Sequence, residues 1–171
     1  MKKSLVLTGM MGSGKSSVGK MLAQRLKKEF YDIDDIIENK EKQSIRKIFT
    51  VKGEAYFRNL EKKITSKFLE KSDVVLSLGG GAFLNPIIRG KVLKTCVSFW
   101  LHVNLKILVE RVIKSGKRPL LNDKNQPQEM EKIYNERFGI YSLANYKINC
   151  SGIEKKVIVE KIIKIYEKNF S

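Results

Sequence analysis

The sequence predicts an α/β protein in which a parallel sheet is covered by helices. Two observations carry that prediction: short apolar runs alternate with longer amphipathic stretches, and a glycine-rich loop opens a helical pattern directly after the first run. A length of 171 residues suits one domain with inserted loops, here 1–171.

Residues 4–8 (SLVLT) form the first strand-like run. After the glycines, Val18, Met21, Leu22, Leu26 and Phe30 recur at helical spacing, so the opening unit reads strand, loop, helix. Residues 35–71 are charged and helix-favouring, too long for a simple crossover, and read as an inserted binding region. Apolar runs at 74–78 (VVLSL) and 97–101 (VSFWL), and a weaker one at 147–150, supply further strands. The segment 104–115 is amphipathic. Residues 114–127 have glycine and proline punctuation and no apolar face, and read as a loop. Val157, Ile158, Ile162, Ile165 and Tyr166 mark a last helix packed on the sheet. No repeat or linker interrupts the chain.

Composition narrows the function classes. Hydrophobic residues are 42% and charged residues 30%, a balance that supports a folded core. No apolar run approaches the roughly 18 residues of a membrane span, and neither a membrane partner nor a secretion signal is expected. Cys96 and Cys150 lie in or beside apolar runs without metal-like spacing and are expected to be buried free thiols in a cytoplasmic protein. The formal charge of +16 comes mostly from scattered lysine, with no basic block interleaved with aromatics, so no nucleic-acid partner is expected.

The chemistry begins at Gly9-Met10-Met11-Gly12-Ser13-Gly14-Lys15-Ser16, which fits glycine, four residues, then Gly-Lys-Ser, between a predicted strand and a predicted helix. The glycines let successive amides and the helix N-terminus face an anion. Lys15 adds a charge at the outer phosphates. Ser16 offers a hydroxyl to Mg2+, a hard cation that shares its remaining positions with phosphate oxygens and water. The phosphate-binding candidates are Gly12, Ser13, Gly14, Lys15, Ser16 and Ser17. A phosphate loop alone serves kinases, motors and switches alike, so the acceptor must be read elsewhere.

Four further features follow in order: Phe30-Tyr31-Asp32-Ile33-Asp34, Gly53-Glu54-Ala55-Tyr56-Phe57-Arg58, Leu78-Gly79-Gly80-Gly81 and Arg118-Pro119-Leu120-Leu121. Together with the phosphate loop, this ordered set resembles the shikimate kinases over residues 5–146. The resemblance implies a nucleoside-monophosphate-kinase-like three-layer sandwich with a five-stranded parallel sheet, a substrate-binding insert at about 32–71 and a lid at about 112–127. It implies ATP- and Mg2+-dependent phosphorylation of the shikimate 3-hydroxyl on the route to chorismate and the aromatic amino acids. A monomer is expected.

It also implies roles. Arg58, and Arg137 in Glu136-Arg137-Phe138-Gly139-Ile140-Tyr141, match carboxylate-binding arginines, and a guanidinium fork suits a carboxylate. Asp34 matches the acid that orients the reacting hydroxyl, and Asp32 one linked to Mg2+ through water. Gly79, Gly80 and Gly81 would bring backbone amides to the substrate at the carboxyl end of a strand. Arg118 is the candidate for stabilising charge on the transferring phosphoryl group as a lid closes, so Lys15, Asp34 and Arg118 form the catalytic set. Arg111 matches a position near adenine.

Plainer alternatives stand beside these. Arg58 could pair along a helix with Glu54 or Glu61, and Arg137 could do likewise on its own helix. Asp32, Asp34 or Asp35 could cap a helix starting near Ile36. The glycines could form a bare turn, Arg118 could be an idle loop arginine, and Arg111 could face solvent. His102 is expected to be structural, and Phe99 and Trp100 core. Two departures from the family stand out: Gly139 replaces a usual proline, and Ser151-Gly152-Ile153-Glu154 lacks the usual adenine-loop arginine. Competing functions are a gluconate-type or nucleoside-monophosphate kinase, or an ATP-binding regulatory module without transfer.

Overall fold

A computed structural model of the chain describes residues 3–115 and 125–170. Arg118 and most of the expected lid lie outside the described residues. The ends of that stretch belong to helices, which corrects the expectation of a loop from 114 to 127.

Five strands form one parallel sheet: β1 (Leu5–Thr8), β2 (Glu29–Asp32), β3 (Val74–Ser77), β4 (Val97–His102) and β5 (Tyr146–Asn149), in the order β2-β3-β1-β4-β5. Leu5 lies beside Val75 on one side and Val97 on the other. Every residue of β1 and β3 is buried, which is why their sequences are unbroken apolar runs: a parallel sheet is covered on both faces. The helices are α1 (Lys15–Leu26), α2 (Ile33–Glu41), α3 (Ile45–Phe68), α4 (Pro86–Thr95), α5 (Leu105–Ser115), α6 (Gln126–Tyr141) and α7 (Lys155–Phe170).

The edge strand β2 corrects the reading of Phe30 as helical. α1 stops at Leu26 because Lys27 turns left-handed (φ 55°) and its N–H closes back on Gln24. Phe30 then packs on α1 from the adjoining strand, against Gly19, where any Cβ would overlap its ring. α2 starts at Ile33 rather than near Ile36, with Asp32 as its cap: the carboxylate accepts from the Asp34 and Asp35 amides at 3.0 and 3.5 Å.

α3 is kinked at Gly53 (φ 82°), a left-handed turn that glycine adopts without strain. Beyond the kink it buries Phe57, Glu61, Ile64 and Thr65. α6 buries Met130, Arg137 and Tyr141, at a spacing that puts all three on one face. Along α7, which packs on α1 and β5, the expected Ile158, Ile162 and Tyr166 are buried and Ile165 is half-buried, while Val157 is exposed and Val159 is buried in its place. Cys96 and Cys150 are buried free thiols, Phe99 and Trp100 are core, and no described helix is long and apolar enough to cross a membrane.

This topology sets the site. The connection leaving β1 runs toward β2, while that leaving its neighbour β3 runs toward β4 on the opposite side. A crevice opens where adjacent strands send the chain in opposite directions, at the carboxyl end of the sheet. The phosphate loop follows β1 there, and the triple glycine follows β3.

Candidate active site

The loop between β1 and α1 is shaped by left-handed glycines, with φ of 140° at Gly9, 77° at Gly12 and 93° at Gly14. At Gly9 a side chain would also collide with the Leu101 carbonyl, its oxygen 2.8 Å from the Cβ position. Gly14 caps α1, whose first amides face the loop's concavity. The Lys15 ammonium lies across the loop and donates to the Gly9 and Met10 carbonyls, both at 2.9 Å. Ser17 Oγ donates to Gly14 at 3.1 Å. The Ser13 hydroxyl is buried without a hydrogen-bond partner among the described residues, as befits a group facing a ligand oxygen. Arg111, on α5, donates to the Gly12 carbonyl at 3.0 Å, which ties its exposed guanidinium to the loop's outer wall.

The Ser16 hydroxyl donates to Asp32 Oδ2, so a hydroxyl and a carboxylate meet at the end of the phosphate loop. These hard oxygens suit Mg2+. No group of three or more His, Cys, Asp or Glu among the described residues could hold a metal by itself. A cation here would therefore take most of its ligands from phosphates and water, the usual habit of Mg2+.

Beside this loop lies a cavity of about 620 Å³, whose lining includes Met11, Ser16, Asp32, Asp34, Phe49, Phe57, Arg58, Glu61, Gly80, Gly81 and Arg137. Gly79 and Gly81 are required by crowding. A Cβ at Gly79 would come within 2.5 Å of an Asp34 oxygen and 2.7 Å of a Glu61 oxygen, and one at Gly81 would overlap the Arg58 guanidinium. Two carboxylates and an arginine thus press against bare backbone. Gly80 sits 3.4 Å, by the same measure, from Arg137 Nη1 and 3.6 Å from the Met11 amide, linking the two halves of the crevice.

Arg58 is held by both helical partners anticipated for it. Its Nη1 donates to Glu61 Oε2 at 2.9 Å, and its Nε lies 3.4 Å from the exposed Glu54. The plain reading and the functional one coincide: the i, i+3 pair fixes the guanidinium at the cavity wall, over the Phe57 ring at 5.2 Å. Glu61 is only 3% exposed. Burial pushes its carboxyl above the usual range, opposed by Arg58 and then Arg137. Arg137, 7% exposed, is no solvent-facing helix residue.

A family model described as shikimate kinase matches residues 11–167. The chain belongs to the shikimate kinase family. It is 40% identical over 163 residues to a shikimate kinase of Bartonella quintana, covering 95% of this chain and 78% of that one. With a Rhizobium leguminosarum shikimate kinase it is 37% identical over 162 residues, 95% and 83% of the two chains. Among solved structures, Acinetobacter baumannii shikimate kinase in complex with shikimate superposes with a TM-score of 0.94 at 29% identity, over 99% of this chain and 95% of the other. The Aquifex aeolicus shikimate kinase gives 0.82 at 33% identity, over 97% of each. A Sinorhizobium meliloti gluconokinase shares the fold alone, with a TM-score of 0.60 at 18% identity over 98% and 93%.

Of the shikimate-kinase-like positions expected from the sequence, the crevice gathers the phosphate loop, Asp32, Asp34, Arg58, Gly79 to Gly81 and Arg137. Arg118 falls outside the described residues. Arg111 touches the loop backbone rather than standing free. Glu61 enters the sequence reading only as a helical partner of Arg58, which it braces, and Tyr141, whose hydroxyl reaches the Gly80 carbonyl, has no role there. The signal for each was available, since Glu61 lies three residues after Arg58 and Tyr141 four after Arg137. His102 bonds Tyr134 at 3.0 Å and contacts Trp100 and Phe138, in keeping with a structural role.

Proposed function

We propose that this protein transfers the γ-phosphoryl group of ATP to the 3-hydroxyl of shikimate, with Mg2+, giving shikimate 3-phosphate and ADP for aromatic amino acid biosynthesis. One observation carries this reading: the phosphate loop and an arginine-walled, carboxylate-bearing cavity open into the same crevice. Shikimate is a carboxylated ring with three hydroxyls. Arg58 and Arg137 suit its carboxylate, and Asp34 suits a hydroxyl held toward the loop.

The division of labour follows from the chemistry. Phosphoryl transfer asks a protein mainly to position groups and offset charge. The loop amides, Ser13 and Lys15 hold the phosphate chain. Asp34, backed by Gly79, orients the attacking hydroxyl, whose oxygen bonds to phosphorus as the bond to the ADP oxygen breaks and whose proton leaves toward Asp34 or solvent. Bound Mg2+ would offset phosphate charge, held by Ser16 directly and by Asp32 through water. Arg118 is assigned to the transferring group, within a lid at about 112–127, and Arg111 to the nucleobase side. The acceptor region is the insert at about 32–71 of a single domain, in a monomeric cytoplasmic enzyme without nucleic-acid or membrane partners.

ADP release with ATP and Mg2+, comparing shikimate, gluconate, nucleoside monophosphates and no acceptor, tests the reading. Turnover with shikimate alone is expected. Turnover only with another acceptor overturns the acceptor site and keeps the phosphate site, and ATP binding without any turnover indicates a regulatory module.

A further inference from the structure

The triple glycine poses a mechanical problem. Backbone amides can recognise a ligand only if they are held in place, and consecutive glycines have more conformational freedom to lose than any other residues. Something outside the turn must hold it. Part of the turn holds itself: the Ala82 amide donates to the Gly79 carbonyl and the Leu84 amide to the Gly81 carbonyl, each at 3.1 Å. The peptide between Gly80 and Gly81 is fixed from elsewhere. Its carbonyl accepts from the hydroxyl of Tyr141, the last residue of α6, which is 1% exposed.

In a trans peptide the carbonyl and the following N–H point in opposite directions, and the described chain has no cis peptide. Tethering the Gly80 carbonyl to Tyr141 therefore turns the Gly81 N–H away from α6. That N–H has no hydrogen-bond partner among the described residues, and Gly80 and Gly81 both line the cavity. Arg137, one helical turn earlier on the same buried face of α6, places its Nη1 3.4 Å from where a Gly80 Cβ would stand. One buried helix face thus brings a phenol and a cationic group to the same glycine wall.

We infer that Tyr141 is a positioning residue for the acceptor: its hydroxyl holds the Gly80–Gly81 peptide with its N–H toward the cavity, beside Arg137. The inference rests on the shikimate reading for its kinetic consequence, but not for its structural one. Tyr141 bonds Gly80 and packs against Trp100, so its effect is expected on the acceptor side.

Tyr141→Phe tests this, since it keeps the ring and removes only the hydroxyl. The KM for shikimate should rise about tenfold, the loss of one ordinary hydrogen bond, with the KM for ATP unchanged and kcat changed less than twofold. In the protein without substrates, the Gly80 and Gly81 amide resonances should shift and broaden while those of Gly12 and Gly14 stay. In an Arg137→Lys background, Tyr141→Phe should still raise the shikimate KM, because the Gly80 tether is separate. Both KM values moving together, or still Gly80 and Gly81 resonances, would reduce Tyr141 to packing. No added effect in the Arg137→Lys background would overturn the peptide tether. A wild-type enzyme inactive on shikimate, with the amide response intact, would sink the substrate and leave the strut.

Discussion

The two halves of the crevice are built by opposite means. The phosphate half is one contiguous segment whose glycines, amides and helix start do most of the work, with Lys15 and Ser16 added. The acceptor half is assembled from four separated segments: Asp34 on α2, Arg58 and Glu61 on α3, the turn after β3, and Arg137 and Tyr141 on α6. Backbone recognition is local and survives almost any surroundings. Side-chain recognition needs braces, and the braces here are a buried acid and a buried phenol.

The largest expected effect falls on the local half. Lys15→Ala removes the side-chain cation of the phosphate loop and should lower kcat on the order of 10³-fold, with the shikimate KM little changed. Steady-state kinetics in both substrates checks it, and a shikimate KM that moved as much as kcat would dissolve the distinction between the halves. Next comes Arg58→Ala, which should raise the shikimate KM roughly 10- to 100-fold, from about 1.5–3 kcal/mol per charged hydrogen bond, while calorimetry finds ATP binding intact. An unchanged shikimate KM would remove Arg58 from the acceptor site.

A smaller change sharpens the role of crowding. Gly79→Ala puts a methyl where the Asp34 and Glu61 oxygens lie 2.5 and 2.7 Å away, so both carboxylates must shift. We expect a fall of about tenfold in kcat/KM for shikimate, the scale of a misplaced reacting group, with the ATP KM held. Asp32→Ala should cost about 1 kcal/mol of stability by removing the α2 cap, read by urea denaturation, and should raise the Mg2+ requirement.

The smallest effect is a slope. Burial holds Glu61 above its ordinary 4.5, so the folded protein keeps that proton to higher pH than the unfolded chain. Stability from this group therefore falls as pH rises from about 4.5 through the raised pKa and levels off above it. Glu61→Gln should flatten that segment of a urea-midpoint profile. An identical profile would mean that Arg58 and Arg137 cancel the effect of burial.

Much of the architecture could be read from periodicity. Short segments rich in apolar residues marked β1, β3 and β4, because those strands are buried on both faces. β2 was hidden: Glu29 is exposed, Phe30 and Tyr31 are half-buried, and Phe30 falls four residues after Leu26, in step with the preceding helix. Only the left-handed turn at Lys27 separates the two patterns, and a lysine carries no signal for it. The α7 stripe could be read except at one position, since Val157 and Val159 are the same residue type and only the docking of the helix chooses between them. Asp32 illustrates a different limit, since its capping and its bond to Ser16 are one geometry seen from two elements.

By itself, the sequence determined the alternation of strand and helix and the phosphate loop, because both depend on neighbours a few residues apart and on backbone geometry that glycine position reveals. Tertiary structure alone decided that Asp34, Glu61 and Gly79 meet within ångströms, that Arg58 is braced rather than idle, and that Tyr141 reaches the glycine turn 61 residues away. Such contacts have no period along the chain. They exist only once the strand order β2-β3-β1 has carried three distant segments to the same end of the sheet.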